Sequence, residues 1–165
     1  MNVSDKKRLA QLCSNSGEFI GRLKIVDEKG QERYFNTPFA EQVMALQDFE
    51  SEAETVIHYK PRQIGDTTVA SAYNFDYTYW ATDPARCLVV ADSYDSTDAI
   101  FGRVRHYYRS LPQMLKKPIE RSNKRELIFK DSMAGFRCMT AGGKSDARGW
   151  TYQRLHADEL AFWPN

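Results

Sequence analysis

The sequence predicts an α/β protein, a mostly parallel sheet flanked by helices with a small β-hairpin near the N-terminus. Three observations carry this reading. Arg86-Cys-Leu-Val-Val-Ala91 is an apolar, β-branched run of the kind buried in a parallel sheet. It lies between two helical stretches, 67–80 and one that starts from the caps in Asp92–Asp98 and runs to about Ser110. A last strand ends at Asp158, and strands separated by helices place a ligand site at their C-terminal ends.

The elements follow in order. Residues 4–14 read as a short helix, and 18–26 with 31–36 alternate as a hairpin turning at Asp27-Glu28-Lys29-Gly30. Phe39, Val43, Leu46 and Phe49 recur at helical spacing. Thr55-Val-Ile-His-Tyr-Lys60 is rich in β-formers and predicts a strand. The helix from Thr67 to Trp80 stops before the Asp83-Pro84 turn, and Leu111-Pro112 ends the next one. Glu126–Lys130 and Gly135–Thr140 predict paired strands around Asp131-Ser-Met-Ala. Residues 1–36 thus form a helix-and-hairpin extension to a domain over 37–165, with no internal repeat.

Composition bounds the function. The 165 residues suit one domain, and 42% hydrophobic with 13% aromatic residues supply a core. A net charge of +1 argues against a uniformly basic nucleic-acid binder. Local basic stretches, Arg103 to Arg109 and Lys116 to Arg125, read either as solvated surface or as contacts to DNA phosphates. The three cysteines, Cys13, Cys87 and Cys138, show neither metal spacing nor a disulfide framework, so a cytoplasmic, reducing setting is expected. No apolar run approaches the ~18 residues of a membrane span, and no leader is recognisable. His58, His106 and His156 stand apart from one another and read as structural.

Residues 60–68, Lys-Pro-Arg-Gln-Ile-Gly-Asp-Thr-Thr, carry the chemistry. A phosphate-binding loop has Gly, four residues, Gly, Lys, then Ser or Thr: backbone N–H groups and the lysine hold phosphates, and the hydroxyl binds Mg²⁺. Gly65 and Thr67 fit the second glycine and the hydroxyl, whereas Asp66 occupies the lysine position and Lys60 that of the first glycine. The loop can function only if Asp66 points away from the phosphates and Lys60 reaches in. Its candidate ATP-binding residues are Lys60, Pro61, Arg62, Gln63, Ile64, Gly65, Asp66, Thr67 and Thr68. The competing reading is an ordinary turn before a Thr-capped helix. Gly142-Gly143-Lys144-Ser145 imitates the motif, but no apolar helix follows it.

A second motif closes the chain. Asp158-Glu159, at the end of a short β-type segment, offers a carboxylate for Mg²⁺ beside Thr67 and a neighbour, Glu159, to activate water. An acidic pair on a solvated face is the alternative, and Arg154 and His156 make the strand unusually polar.

Together, Arg62-Gln-Ile-Gly65-x-Thr67-Thr68, Ala147-Arg148-Gly149, Asp158-Glu159-Leu-Ala-Phe162 and Pro38-Phe-Ala-Glu-Gln42 resemble, in the same order, the N-terminal ATPase domain of tailed-phage terminase large subunits. Some members of that family carry the loop lysine at the front, as Lys60 stands here. The resemblance implies a P-loop NTPase fold of the ASCE/RecA-like kind and Mg²⁺-dependent ATP hydrolysis that drives double-stranded DNA into a capsid. It also implies a homo-oligomeric ring with portal and small-subunit partners in the host cytoplasm, and no membrane. Gln42 matches the adenine-reading glutamine; it reads equally as a solvated residue on its helix. Arg62 is a candidate for the γ-phosphate, or a surface ion-pair partner. Arg148 matches an arginine finger acting on a neighbouring subunit. Family members continue past the acidic pair with further core strands and a nuclease domain. The chain is therefore expected to be a partial ATPase domain, its sheet incomplete at the C-terminus with an unprotected edge. A helicase-like motor, or a catalytically inactive DNA-binding or scaffold fragment, are the alternatives.

Overall fold

The computed structural model describes residues 15–27, 29–59, 64–143 and 149–164; the helix expected over 4–14 lies outside them. Asn15 caps a short helix, α1 (Ser16–Ile20), by accepting from the Glu18 N–H at 3.0 Å. Strands β1 (Lys24–Val26) and β2 (Glu32–Tyr34) then pair as the expected antiparallel hairpin. Asp27 shapes its turn by accepting from the Lys29 and Gln31 N–H groups at 2.9 and 2.8 Å, with Gly30 at φ 75. The first strand is shorter than the predicted 18–26, because the cap turns its start into α1.

Helices α2 (Ala40–Phe49), α3 (Asp66–Trp80) and α4 (Tyr94–Ser110) follow the sequence closely. Ser93 caps α4 through the Ser96 N–H at 3.2 Å. The strands β3 (Arg86–Ala91), β4 (Ile119–Ser122), β5 (Glu126–Phe129), β6 (Gly135–Thr140) and β7 (Arg154–Ala157) form one five-stranded sheet in the order β4-β5-β6-β3-β7.

The sheet is mixed, which corrects the mostly parallel expectation. β3 runs parallel to β6 and to β7, but β4, β5 and β6 are antiparallel neighbours. A short turn between β5 and β6 cannot make a crossover, so those strands must return antiparallel. β4 is short and exposed, without the alternation that announces a strand. The strand predicted over 55–60 is also corrected. Residues 55–59, with Val56 and His58 half-buried while Ile57 and Tyr59 are exposed, join no ladder among the described residues. The outer edge of β7 likewise has no strand partner among the described residues.

One face of the sheet carries the core. Cys87, Val89 and Ala91 of β3, Phe136 and Cys138 of β6, and Leu127 and Phe129 of β5 pack with Val69, Ala72, Phe75 and Tyr79 of α3 and Ile100, Phe101, Val104 and Tyr107 of α4. Phe19 of α1 stacks on Tyr79 at 5.2 Å and approaches Phe75 at 6.3 Å, so the N-terminal elements share this core. The Tyr79 hydroxyl bonds the Leu115 carbonyl. On the opposite face Arg86 lies 4.2 Å over the Trp150 ring, which stacks on Tyr152. Burial raises the Cys87 thiol to about 12 and Cys138 well above its ordinary range, so both are inert apolar fillers. No helix among the described residues is long and apolar enough to cross a membrane.

Asp76, 7% exposed on α3, is raised to about 6 chiefly by burial, with Ser16 and the Arg154 guanidinium pulling the other way. A carboxyl raised in the folded state binds its proton more tightly there than in the unfolded chain, so its ionisation costs stability as pH rises from about 4 to about 6. Asp76→Asn is expected to remove that loss. Its stability relative to the parent should grow by ~1–3 kcal/mol between pH 4 and pH 7, measured by urea melts.

Candidate functional site

The C-terminal ends of β3, β6 and β7 lie side by side, and the N-terminus of α3 meets them there. Register fixes the last carboxylate: Val90 pairs with Ala157, and the Asp158 N–H donates to the Val90 carbonyl at 2.8 Å. Trp163 Nε1 donates to the Asp158 carbonyl at 3.0 Å, holding the turn beyond it. From the other side, Thr67 Oγ1 donates to Asp158 Oδ1 at 2.9 Å. Two residues 91 positions apart thus touch, and Asp158 is 7% exposed. Glu159 follows in left-handed conformation, φ 51 and ψ 42, and is exposed. That backbone disfavours a side chain with a Cβ, and such outliers cluster where position matters more than comfort.

Gly65 caps α3 in the left-handed region at φ 77, and its carbonyl accepts from the N–H groups of Thr68 and Val69 at 3.0 and 3.1 Å. Gln42 holds this turn. Its Oε1 accepts from the Phe39 N–H at 3.0 Å and its Nε2 donates to the Gly65 carbonyl at 3.4 Å. Gln42 is 5% exposed, so it is not the solvated residue of the alternative reading. Among the described residues, one amide hydrogen and one oxygen lone pair have no other partner. Beside it opens a cavity of about 820 Å³, lined by Pro38, Gln42, Val43, Leu46, Val69 and Leu111 among others, and largely apolar.

Asp66, the first residue of α3, is buried. Its Oδ1 lies 2.9 Å from His58 Nδ1. Ile64 and Thr68 are half-buried beside it, and Tyr107 donates its hydroxyl to the Thr68 carbonyl at 3.2 Å. Lys60, Pro61, Arg62, Gln63 and Arg148 lie outside the described residues.

The polar strand finds its reason here. Arg154, His156 and Asp158 all point toward α3. The Arg154 guanidinium lies 4.3 Å from the Tyr73 ring and 3.9 Å from that of Tyr77, and donates to the Tyr73 hydroxyl at 3.2 Å. His156 Nε2 lies 3.6 Å from Asp158 Oδ1. Asp48 and Tyr73, which no sequence motif marks, belong to the same surroundings. The signal for His58 was available: an aspartate at the lysine position requires a partner, and a histidine lies eight residues before it.

The donor set is all oxygen, a hydroxyl and a carboxylate, which suits a hard cation such as Mg²⁺. Among the described residues no cluster of three or more His, Cys, Asp or Glu could hold a metal by itself. Mg²⁺ fits such a sparse set, because it takes one or two protein ligands and completes its shell with water and phosphate oxygens.

Comparison with protein-family models gives no match, and neither does comparison with curated proteins.

Gly65→Ala is expected to destabilise, since Gly65 sits at a positive φ and a Cβ there would push the Gln42 amide off the Gly65 carbonyl. Thermal denaturation should show a loss of ~1–3 kcal/mol, and Gln42→Ala in the same background should recover part of it by making room.

Proposed function

We propose that this chain binds ATP with Mg²⁺ at the α3 N-terminus and hydrolyses it. The observation that carries the reading is the 2.9 Å hydrogen bond from Thr67 Oγ1 to Asp158 Oδ1. In P-loop NTPases a loop Ser/Thr and a strand-end Asp hold the metal together, and they must converge from distant parts of the chain. The carboxylate that stands in the lysine position of the loop, Asp66, is turned toward His58. The first N–H groups of α3 offer an anion site reinforced by the helix dipole.

Each residue then has a task. Thr67 and Asp158 would hold Mg²⁺, whose charge offsets that of the β- and γ-phosphates. Lys60 and Arg62 bind phosphate oxygens, Arg62 with a bidentate fork. Glu159 orients and deprotonates the attacking water, and its exposure leaves it accessible to that water. The Gln42 amide can both donate to and accept from the edge of adenine, and the apolar cavity at its side accommodates the base.

The finer reading is a terminase-like motor. It is supported by the order and spacing of the four motifs, from Gln42 through the loop and Arg148 to Asp158-Glu159. In that setting the chain is the ATPase portion of a large subunit that translocates double-stranded DNA. Arg148 then serves a neighbouring subunit of a ring, and a portal and a small subunit are the partners.

In the intact protein, saturating Mg-ATP is expected to raise the melting temperature by roughly 5–10 °C. Glu159→Gln should retain that shift while turnover falls by ~100-fold or more. Lys60→Ala should lose most of the shift. Unchanged melting at saturating Mg-ATP sinks the reading.

A further inference from the structure

We propose that His58 is a positioning residue that turns Asp66 away from the phosphate site and so lets a loop with a carboxylate in place of its lysine accept a triphosphate. This rests on the nucleotide reading above and names the feature that makes it possible for this sequence.

Asp66 is the first residue of α3, directly after Gly65 and before Thr67, so its side chain starts at the phosphate end of the helix. A carboxylate free to rotate there would repel a polyphosphate. Instead it is 8% exposed, with Oδ1 2.9 Å from His58 Nδ1. His58 is itself held on several sides. Its Nε2 lies 3.4 Å from Asp48 Oδ2 at the end of α2, and its ring stacks on Phe49 with centroids 5.0 Å apart. Phe49 stacks in turn on Tyr73 of α3 at 5.4 Å, and the Tyr73 hydroxyl donates to the Phe49 carbonyl at 2.8 Å.

The arrangement is therefore a clamp between α2 and α3 with an imidazole as its pin. An ionised Asp66 can only accept, so the tautomer that fits carries its proton on Nδ1, and the aromatic stack sets the ring's plane. A histidine placed only to fill space would need neither carboxylate.

The test is a binding comparison with Mg-ATP, Mg-ADP and adenosine as probes, on the intact protein and three variants. His58→Ala is expected to weaken Mg-ATP on the order of 10-fold, Mg-ADP less, and adenosine not at all, because the released carboxylate acts on phosphate charge. Asp66→Asn added to His58→Ala should restore Mg-ATP affinity. Asp66→Asn alone isolates the loss of the carboxylate, and adding His58→Ala to it should change Mg-ATP affinity by less than about 3-fold, since the imidazole then has no charge to hold. The proposal is overturned if His58→Ala weakens all three probes equally, if the double variant is not rescued, or if Asp66→Asn alone tightens Mg-ATP by about 10-fold or more. A parent protein that binds no Mg-ATP overturns the nucleotide reading, and this proposal with it.

Discussion

The Thr67–Asp158 hydrogen bond is the constraint on which the site depends, because it can form only if two separately determined frames agree. One is the parallel register of β7 on β3, which delivers Asp158 one residue beyond the ladder. The other is the seating of α3 on the sheet, set by Val69, Ala72, Phe75 and Tyr79 in the shared core. A shift of β7 by one residue would turn its inward and outward side chains over and carry Asp158 to the wrong face. The apolar half of the molecule thus determines where the polar half meets.

The same logic applies to Gly65, which opens α3. A positive φ at Gly65 costs little for glycine, but it must be held against alternatives, and Gln42 does so from another helix. α2 is tied to α3 at both ends, by Gln42 at its start and by Phe49 and Asp48 through Tyr73 and His58 at its finish. A group that entered the cavity beside Gln42 would therefore touch the element bonded to Gly65.

Much of this was legible in the sequence, and the exceptions have physical causes. The apolar run of β3, the Ser93 cap and the Leu111-Pro112 stop are local signals, and the elements they mark lie where predicted. Thr67 and Asp158 were expected at one metal from their two motifs, whereas the contact between their side chains is seen only in the structure. Strand direction was not legible, since nothing local in 126–140 distinguishes a hairpin added to a parallel sheet from one standing apart. The segment 55–59 misled for a related reason. β-propensity describes a residue's fitness for a pleated surface, whereas a strand also needs a neighbour to receive its hydrogen bonds. Gln42 and Asp66 were each assigned by type, but their orientation depends on Gly65 and His58, contacts that no sequence window contains.

β7 shows how a strand that reads poorly as core can be well placed as a wall. Its inward face is Arg154 and His156, leading to Asp158, and an arginine there must replace the hydration it loses. The rings of Tyr73 and Tyr77 supply part of that, with the Tyr73 hydroxyl as acceptor. Because both tyrosines lie on α3, the guanidinium fastens β7 to the helix that carries Thr67. Tyr73 also takes the stack from Phe49 and His58. One aromatic side chain therefore stands between the strand that ends in Asp158 and the clamp that holds Asp66. The distance between the two carboxylate-bearing ends is set by packed rings, whose stacking depends on shape more than on salt, and this is a firmer reference than an exposed ion pair would give.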